Sequence, residues 1–137
     1  MASNLKYSSA LKTSQQAAIS TAAGASAVLT LYSGTQPASP DTAVTSQVAL
    51  STHTCAATFG TASAGVLTVG AIGNGTGTAG AGAGTAATWY RLTTSGGTAL
   101  IDGSVGTSGA DLNLTGTTSI ATGQTVSISS WTLSNGN

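Results

Sequence analysis

The chain has 137 residues and only six charged side chains, Lys6, Lys12, Arg91, Asp41, Asp102 and Asp111, for a formal net charge of zero. Three scattered cations cannot form the basic cluster that displaces counterions from phosphates, so no nucleic-acid partner is expected. The length suits one domain, the 40% apolar content argues against disorder despite 19 glycines, and the single Cys55 excludes an internal disulfide.

A folded monomer of this mass exposes about 6,300 Å², or about one charge per 1,000 Å². That is far below the density that keeps free domains apart in solution. Either Ser and Thr hydroxyls hydrate the surface, or other subunits cover much of it. No apolar run approaches the ~18 residues of a membrane helix, so no membrane partner is expected. The N-terminal MASNLKYSSALKTSQQ lacks the apolar core of a signal peptide, and assembly in a cytoplasm is expected.

In chain order, residues 1 to 13 are polar and without a firm period, and are expected to form an N-terminal arm carrying Lys6, Tyr7 and Lys12. Thr13 and Gln16 have capping-box spacing and Gly24 suits a C-terminal exit, which predicts a short helix over residues 15 to 23. Residues 26 to 32, SAVLTLY, form a strand pattern that stops at Ser33-Gly34. GTQPASPDTAV must be a loop, because Pro37 and Pro40 exclude a central strand and Asp41 favours a turn. An extended pattern resumes over residues 44 to 54 with Val48 and Leu50 on one face. Another short strand, VLTVGAI, follows Gly65.

Residues 73 to 84, GNGTGTAGAGAG, lack the Lys of a phosphate loop and are expected to form a surface loop or a packed glycine ribbon. The richest stretch is residues 86 to 114. Its Gly96-Gly97 predicts a two-residue hairpin turn that sets Leu92 opposite Ile101 and Arg91 opposite Asp102. Asp111 belongs to a turn, where aspartate bonds local backbone amides. The last strand is expected over residues 124 to 133. Val126 and Ile128 share one face there and Trp131 and Leu133 the other, which implies a bulge near Ser129-Ser130 or burial on both faces. Short strands at regular intervals predict an all-β fold, a single β-sandwich over residues 14 to 137. Jelly-roll wiring is one possibility.

Chemistry is sparse. His53 and Cys55 share a strand face, but a zinc site needs three or four ligands and there is no second His or Cys. A serine hydrolase would have His53 as its only imidazole and lacks a G-x-S-x-G turn. A glycosidase needs two free carboxylates, and Asp102 has a more natural partner in Arg91. No enzyme activity and no cofactor are expected. Trp89, Tyr90 and Trp131 could stack on a sugar, although aromatics in a small sandwich are more often core or interface.

Three segments, LTLYSGTQPASPDTAV at 29 to 44, FGTASAGVLTV at 59 to 69 and the long run from Thr88 to Leu133, resemble a family of small structural proteins of tailed bacteriophages and prophages. The most specific part is DGSVGTSGADLNL, residues 102 to 114. The resemblance implies a virion component: a capsid decoration (cement) protein whose partners are the major capsid protein and copies of itself. Alternatives are a tail, collar or fibre-base protein and, more distantly, a carbohydrate-binding module. Tyr7, Trp89, Tyr90, Arg91, Asp102, Asp111 and Trp131 are the candidate structural or interface residues. The expected location is the capsid surface, after assembly in the bacterial host cytoplasm.

Overall fold

The computed structural model describes residues 4 to 134. One α-helix, α1 (Ser9–Ala23), precedes twelve short strands among the described residues. These are β1 (Val28–Ser33), β2 (Val48–Thr54), β3 (Gly60–Ser63), β4 (Val66–Val69), β5 (Gly75–Thr76), β6 (Thr85–Ala86) and β7 (Trp89–Thr93), then β8 (Ala99–Gly106), β9 (Leu112–Asn113), β10 (Ser119–Ile120), β11 (Thr125–Val126) and β12 (Thr132–Ser134). A single 3₁₀ turn, Ala79–Ala81, interrupts the glycine-rich run. The all-β character expected from the sequence is therefore present.

The principal sheet has the order β2-β1-β7-β8-β9, a second has β12-β4-β3, and two ribbons pair β10 with β6 and β11 with β5. On the principal sheet, Leu29, Leu31, Tyr90 and Leu92 alternate onto one face and meet Phe59, Leu67, Leu112, Ile120 and Trp131 in the core. Leu31, Val69, Leu92, Leu114 and Ile128 are buried, and Ile101 packs against them half-buried. The opposite face carries Tyr32, Trp89 and Arg91 and lies beneath the loop of residues 34 to 47.

The central hairpin keeps its expected register by an unexpected route. Thr94 N–H donates to the Thr98 carbonyl (2.9 Å) and Gly97 N–H to that of Thr94 (3.0 Å). The loop is therefore Ser95-Gly96-Gly97, with Gly97 at φ 94°, and not the two glycines alone. Three loop residues would place Leu92 opposite Leu100. A bulge leaves Leu100 as the extra residue, so Leu92 faces Ile101 and Arg91 faces Asp102.

Other boundaries differ from expectation. The helix starts at Ser9, inside the expected arm; Ser8 caps it, its hydroxyl accepting from Leu11 N–H (3.2 Å). Thr13 lies within the helix, and its hydroxyl instead accepts from Gly65 N–H (2.9 Å) at the β3-to-β4 turn. Ser8, Ser9, Thr13 and Ser14 can all cap, and this tertiary bond favours the earlier start. Val48 is exposed while Leu50 is buried, because a bulge between β1 and β2 makes Leu50 the unpaired residue and breaks the alternation. The expected last strand is broken in two. Thr125–Val126 pairs with β5 and Thr132–Ser134 with β4, and the intervening residues bring Ile128 and Trp131 into the core.

Two sheet edges are closed from within. Ser20 lies against edge strand β3, where its hydroxyl donates to the Gly60 carbonyl (2.9 Å) and accepts from Gly60 N–H (3.2 Å). This supplies the strand with the partner it lacks. Along β2, Gly73 N–H donates to the Thr54 carbonyl (2.9 Å) and Thr78 N–H to that of Leu50 (2.8 Å). The low-complexity run is thus the packed ribbon. A Cβ on Gly77 would lie 1.9 Å from the Ala121 carbonyl oxygen, so this close approach requires glycine.

Candidate functional site

Of the candidate residues, Trp89, Tyr90, Arg91 and Trp131 are buried, and the Asp102 side chain is 1% exposed. Arg91 Nε and Nη2 grip both Asp102 carboxylate oxygens at 2.7 Å. Nη1 also donates to the Thr42 carbonyl (3.0 Å) and Nη2 to that of Ser39 (3.3 Å). The guanidinium therefore ties the proline-containing loop down over the sheet, 5.5 Å above the Trp89 ring, which stacks on Tyr32 at 4.5 Å. The carboxylate raises the Arg91 pKa above its ordinary value. Gln47 closes the neck of the same loop by donating to the Thr35 carbonyl (2.7 Å). This ion pair is buried by its own chain, so its charges need no neighbouring subunit to cover them.

Tyr90 and Trp131 point into the core, their rings edge to face at 5.0 Å, and burial pushes the Tyr90 phenol pKa up. With Trp89 they offer no solvent-facing platform for a sugar ring. Tyr7 lies half-buried just before α1.

Among the described residues, His53 and Ser51 form the one arrangement that resembles catalytic machinery. Ser51 Oγ lies 3.0 Å from His53 Nε2, and His53 Nδ1 lies 3.0 Å from the Gly73 carbonyl. That carbonyl can only accept, so Nδ1 carries the proton and Nε2 accepts from the serine. Both side chains are fully buried, and a Cβ on Gly75 would touch the imidazole at 2.7 Å. No substrate carbonyl reaches this hydroxyl; the pair satisfies polar groups inside the core. Burial lowers the His53 pKa and pushes the Cys55 thiol up to about 11. Among the described residues, no three His, Cys, Asp or Glu side chains are grouped to hold a metal ion. No described helix is long and apolar enough to cross a membrane.

The remaining feature is a solvent-open cleft of about 660 Å³ between residues 107 to 116 and residues 129 to 134. One wall is the DGSVGTSGADLNL stretch. Here β9 returns parallel to β8 after only five residues, Val105 opposite Leu112. Such a short return needs internal fastening. Ser104 N–H and Oγ both donate to Asp111 Oδ2 (2.9 and 2.8 Å), and Asp111 N–H donates back to Ser104 Oγ (3.1 Å). Asn113 brackets Ala110 in the same way, accepting from its N–H and donating to its carbonyl. Asp111 thus fastens a strand seven residues away, where a bond to a neighbouring turn amide was expected. The Ser104 amide first, and its hydroxyl second, hold the Asp111 carboxyl below its ordinary pKa of 3.8. The cleft's only charged side chain is therefore an ionised carboxylate, and Oδ1 is free of protein partners among the described residues. Serine and threonine hydroxyls dominate the opposite wall, and Leu114, Trp131 and Leu133 lie toward the core.

Sequence reasoning missed Ser20, Gln47, Ser51 and Ser104, since a lone hydroxyl or amide carries no periodic signal. No family model, curated protein or solved structure matches the chain.

Proposed function

We infer that the chain is a structural protein of a tailed-bacteriophage virion: a capsid decoration subunit that sits on the outer face of the head, bridges major capsid subunits and touches copies of itself. It is assembled in the bacterial host cytoplasm and resides on the virion surface. The observation that carries this reading is where the charges lie. Arg91 and Asp102 neutralise each other inside the fold, leaving Lys6, Lys12, Asp41 and Asp111 on a surface of 6981 Å², about one charge per 1,700 Å². Such a surface packs against neighbours without stranding unpaired charge. Binding only the assembled shell then stabilises it by mass action.

The resemblance over residues 29 to 44, 59 to 69 and 88 to 133 adds the virion setting. Its most specific stretch forms the fastened loop beside the cleft. The architecture that accompanies this reading is a jelly-roll-like sandwich, with the principal and three-stranded sheets as its two layers. No catalytic step and no cofactor are involved.

The test is the protein's place in a reconstructed virion. On the order of hundreds of copies spread over the head, following shell symmetry, is the expected result. Roughly a dozen copies or fewer at the tail, collar or fibre base would overturn it. Glycan binding by the isolated protein would point to a carbohydrate-binding module, against the burial of Trp89, Tyr90 and Trp131.

A further inference from the structure

Among the described residues, the fold closes two of its four main sheet edges and leaves the other two open on the same cleft. β3 is covered by Ser20 of α1, and β2 by the glycine ribbon. β9 and β12 are the outer strands of their sheets, and both line the cleft. The Trp131 carbonyl accepts from Val69 N–H (3.0 Å), so by antiparallel alternation Trp131 and Leu133 bond toward β4. Thr132 and Ser134 then turn their N–H and carbonyl groups outward, with no strand beside them among the described residues. An open edge of this kind is a template for an added strand.

The chain carries a segment that fits. Residues 4 to 8, N-L-K-Y-S, alternate polar and apolar as a half-buried strand does, yet they form no strand in the fold. Leu5 is 53% exposed. Laid along β12, Leu5 and Tyr7 would face Leu114, Trp131 and Leu133, while Asn4 and Lys6 would face the hydroxyl rim. Lys6 is the arm's only charged side chain and Asp111 the cleft's, and the two are opposite in sign. In its own copy, α1 packs against β3 and β4, with Thr13 bonded to Gly65 at the turn between them.

We propose that this cleft is a strand-acceptor site for the N-terminal arm, residues 4 to 7, of a second copy of the chain. The arm extends β12 by main-chain hydrogen bonds, and Lys6 meets Asp111. Each copy donates one arm and offers one cleft, so the contact builds a ring or a reciprocal pair. The inference rests on the reading that the chain meets copies of itself. Its test needs no capsid, so its failure is distinguishable from failure of the decoration role.

Sedimentation velocity on three full-length or arm-deleted proteins provides that test. Wild type should associate with increasing concentration. Deleting residues 1 to 7 removes the donor, and Thr132→Pro removes an outward N–H without touching the β4 pairing. Each change should weaken self-association about tenfold or more, the worth of one or two lost hydrogen bonds. Mixing the two weakened proteins should then give a 1:1 complex, because one retains the arm and the other the cleft. Near-ultraviolet circular dichroism checks that the tryptophan environment survives, and Ser134→Pro replaces Thr132→Pro if it does not. A wild type that stays monomeric at every concentration, or weakened proteins that ignore each other on mixing, would overturn the proposal. Arms folded onto their own clefts give the first of these results, a monomeric wild type.

Discussion

Asp102→Asn tests the internal ion pair most directly. The substitution keeps the shape of the side chain but leaves the Arg91 guanidinium facing one neutral acceptor and one amide donor, where it now has two carboxylate oxygens at 2.7 Å. The two side chains are 7% and 1% exposed, so water cannot replace the lost charge. Breaking one side of a buried pair costs about 3 to 5 kcal/mol, whereas an exposed pair is worth only about 0.2 to 1 kcal/mol. For a domain of this size the larger figure corresponds to a fall in Tm of roughly 10 to 15 °C. Urea denaturation of the isolated protein measures the cost, with an unchanged m-value showing that the same surface is still exposed on unfolding. Because its own chain buries the pair, the loss should be complete in the monomer and no larger in assembled particles. Replacing both partners, Arg91→Met with Asp102→Leu, should recover much of it, since neither charge then remains stranded. A loss under about 1 kcal/mol for Asp102→Asn would refute the burial argument.

Three further outcomes follow from the packing. Gly77→Ala drives a Cβ into the Ala121 carbonyl and should cost about 2 kcal/mol or more, while Gly82→Ala, with open space around it but φ 58°, should cost only about 1 kcal/mol. Equal effects in denaturant would mean that the ribbon is not packed. Ser20→Ala removes both bonds to Gly60 and should destabilise by about 1 to 2 kcal/mol, against almost no change for the exposed Ser14→Ala, each read from the urea midpoint. His53 is held neutral with a pKa below its ordinary 6.5, so the unfolded chain binds a proton more readily. Its contribution is intact above pH 6.5 and is lost as pH falls below that value, at up to about 1.4 kcal/mol per pH unit. His53→Gln should flatten the slope below about pH 6.5, and an unchanged slope would assign the acid sensitivity elsewhere.

The strong local patterns were legible in the sequence. β1, β4 and the β7-β8 hairpin were readable because alternation over four or more residues leaves little choice of face, and because Leu92 with Ile101 and Arg91 with Asp102 make one register better than its neighbours. The turn itself was not readable. Two glycines permit a two-residue loop, and only the bulge at Leu100 shows how a three-residue loop reaches the same pairing. The two-residue strands β5, β6 and β10 were also out of reach, since two residues have no period and are defined by their partners.

Composition alone determined that the molecule is nearly uncharged, with only three cationic side chains, because such properties are sums over residues and do not depend on where each residue lies. Tertiary structure decided which of the few charges remain outside. Arg91 and Asp102 came inside because the loop of residues 34 to 47 folds over them and presents the Ser39 and Thr42 carbonyls, a covering that depends on chain path and not on residue type. It also decided that the aromatic residues face inward and that two sheet edges are closed while two open on one cleft. Hydrogen-bond closure of an edge joins residues up to 40 positions apart, as Ser20 and Gly60 do, and no local pattern in the sequence encodes such a distance.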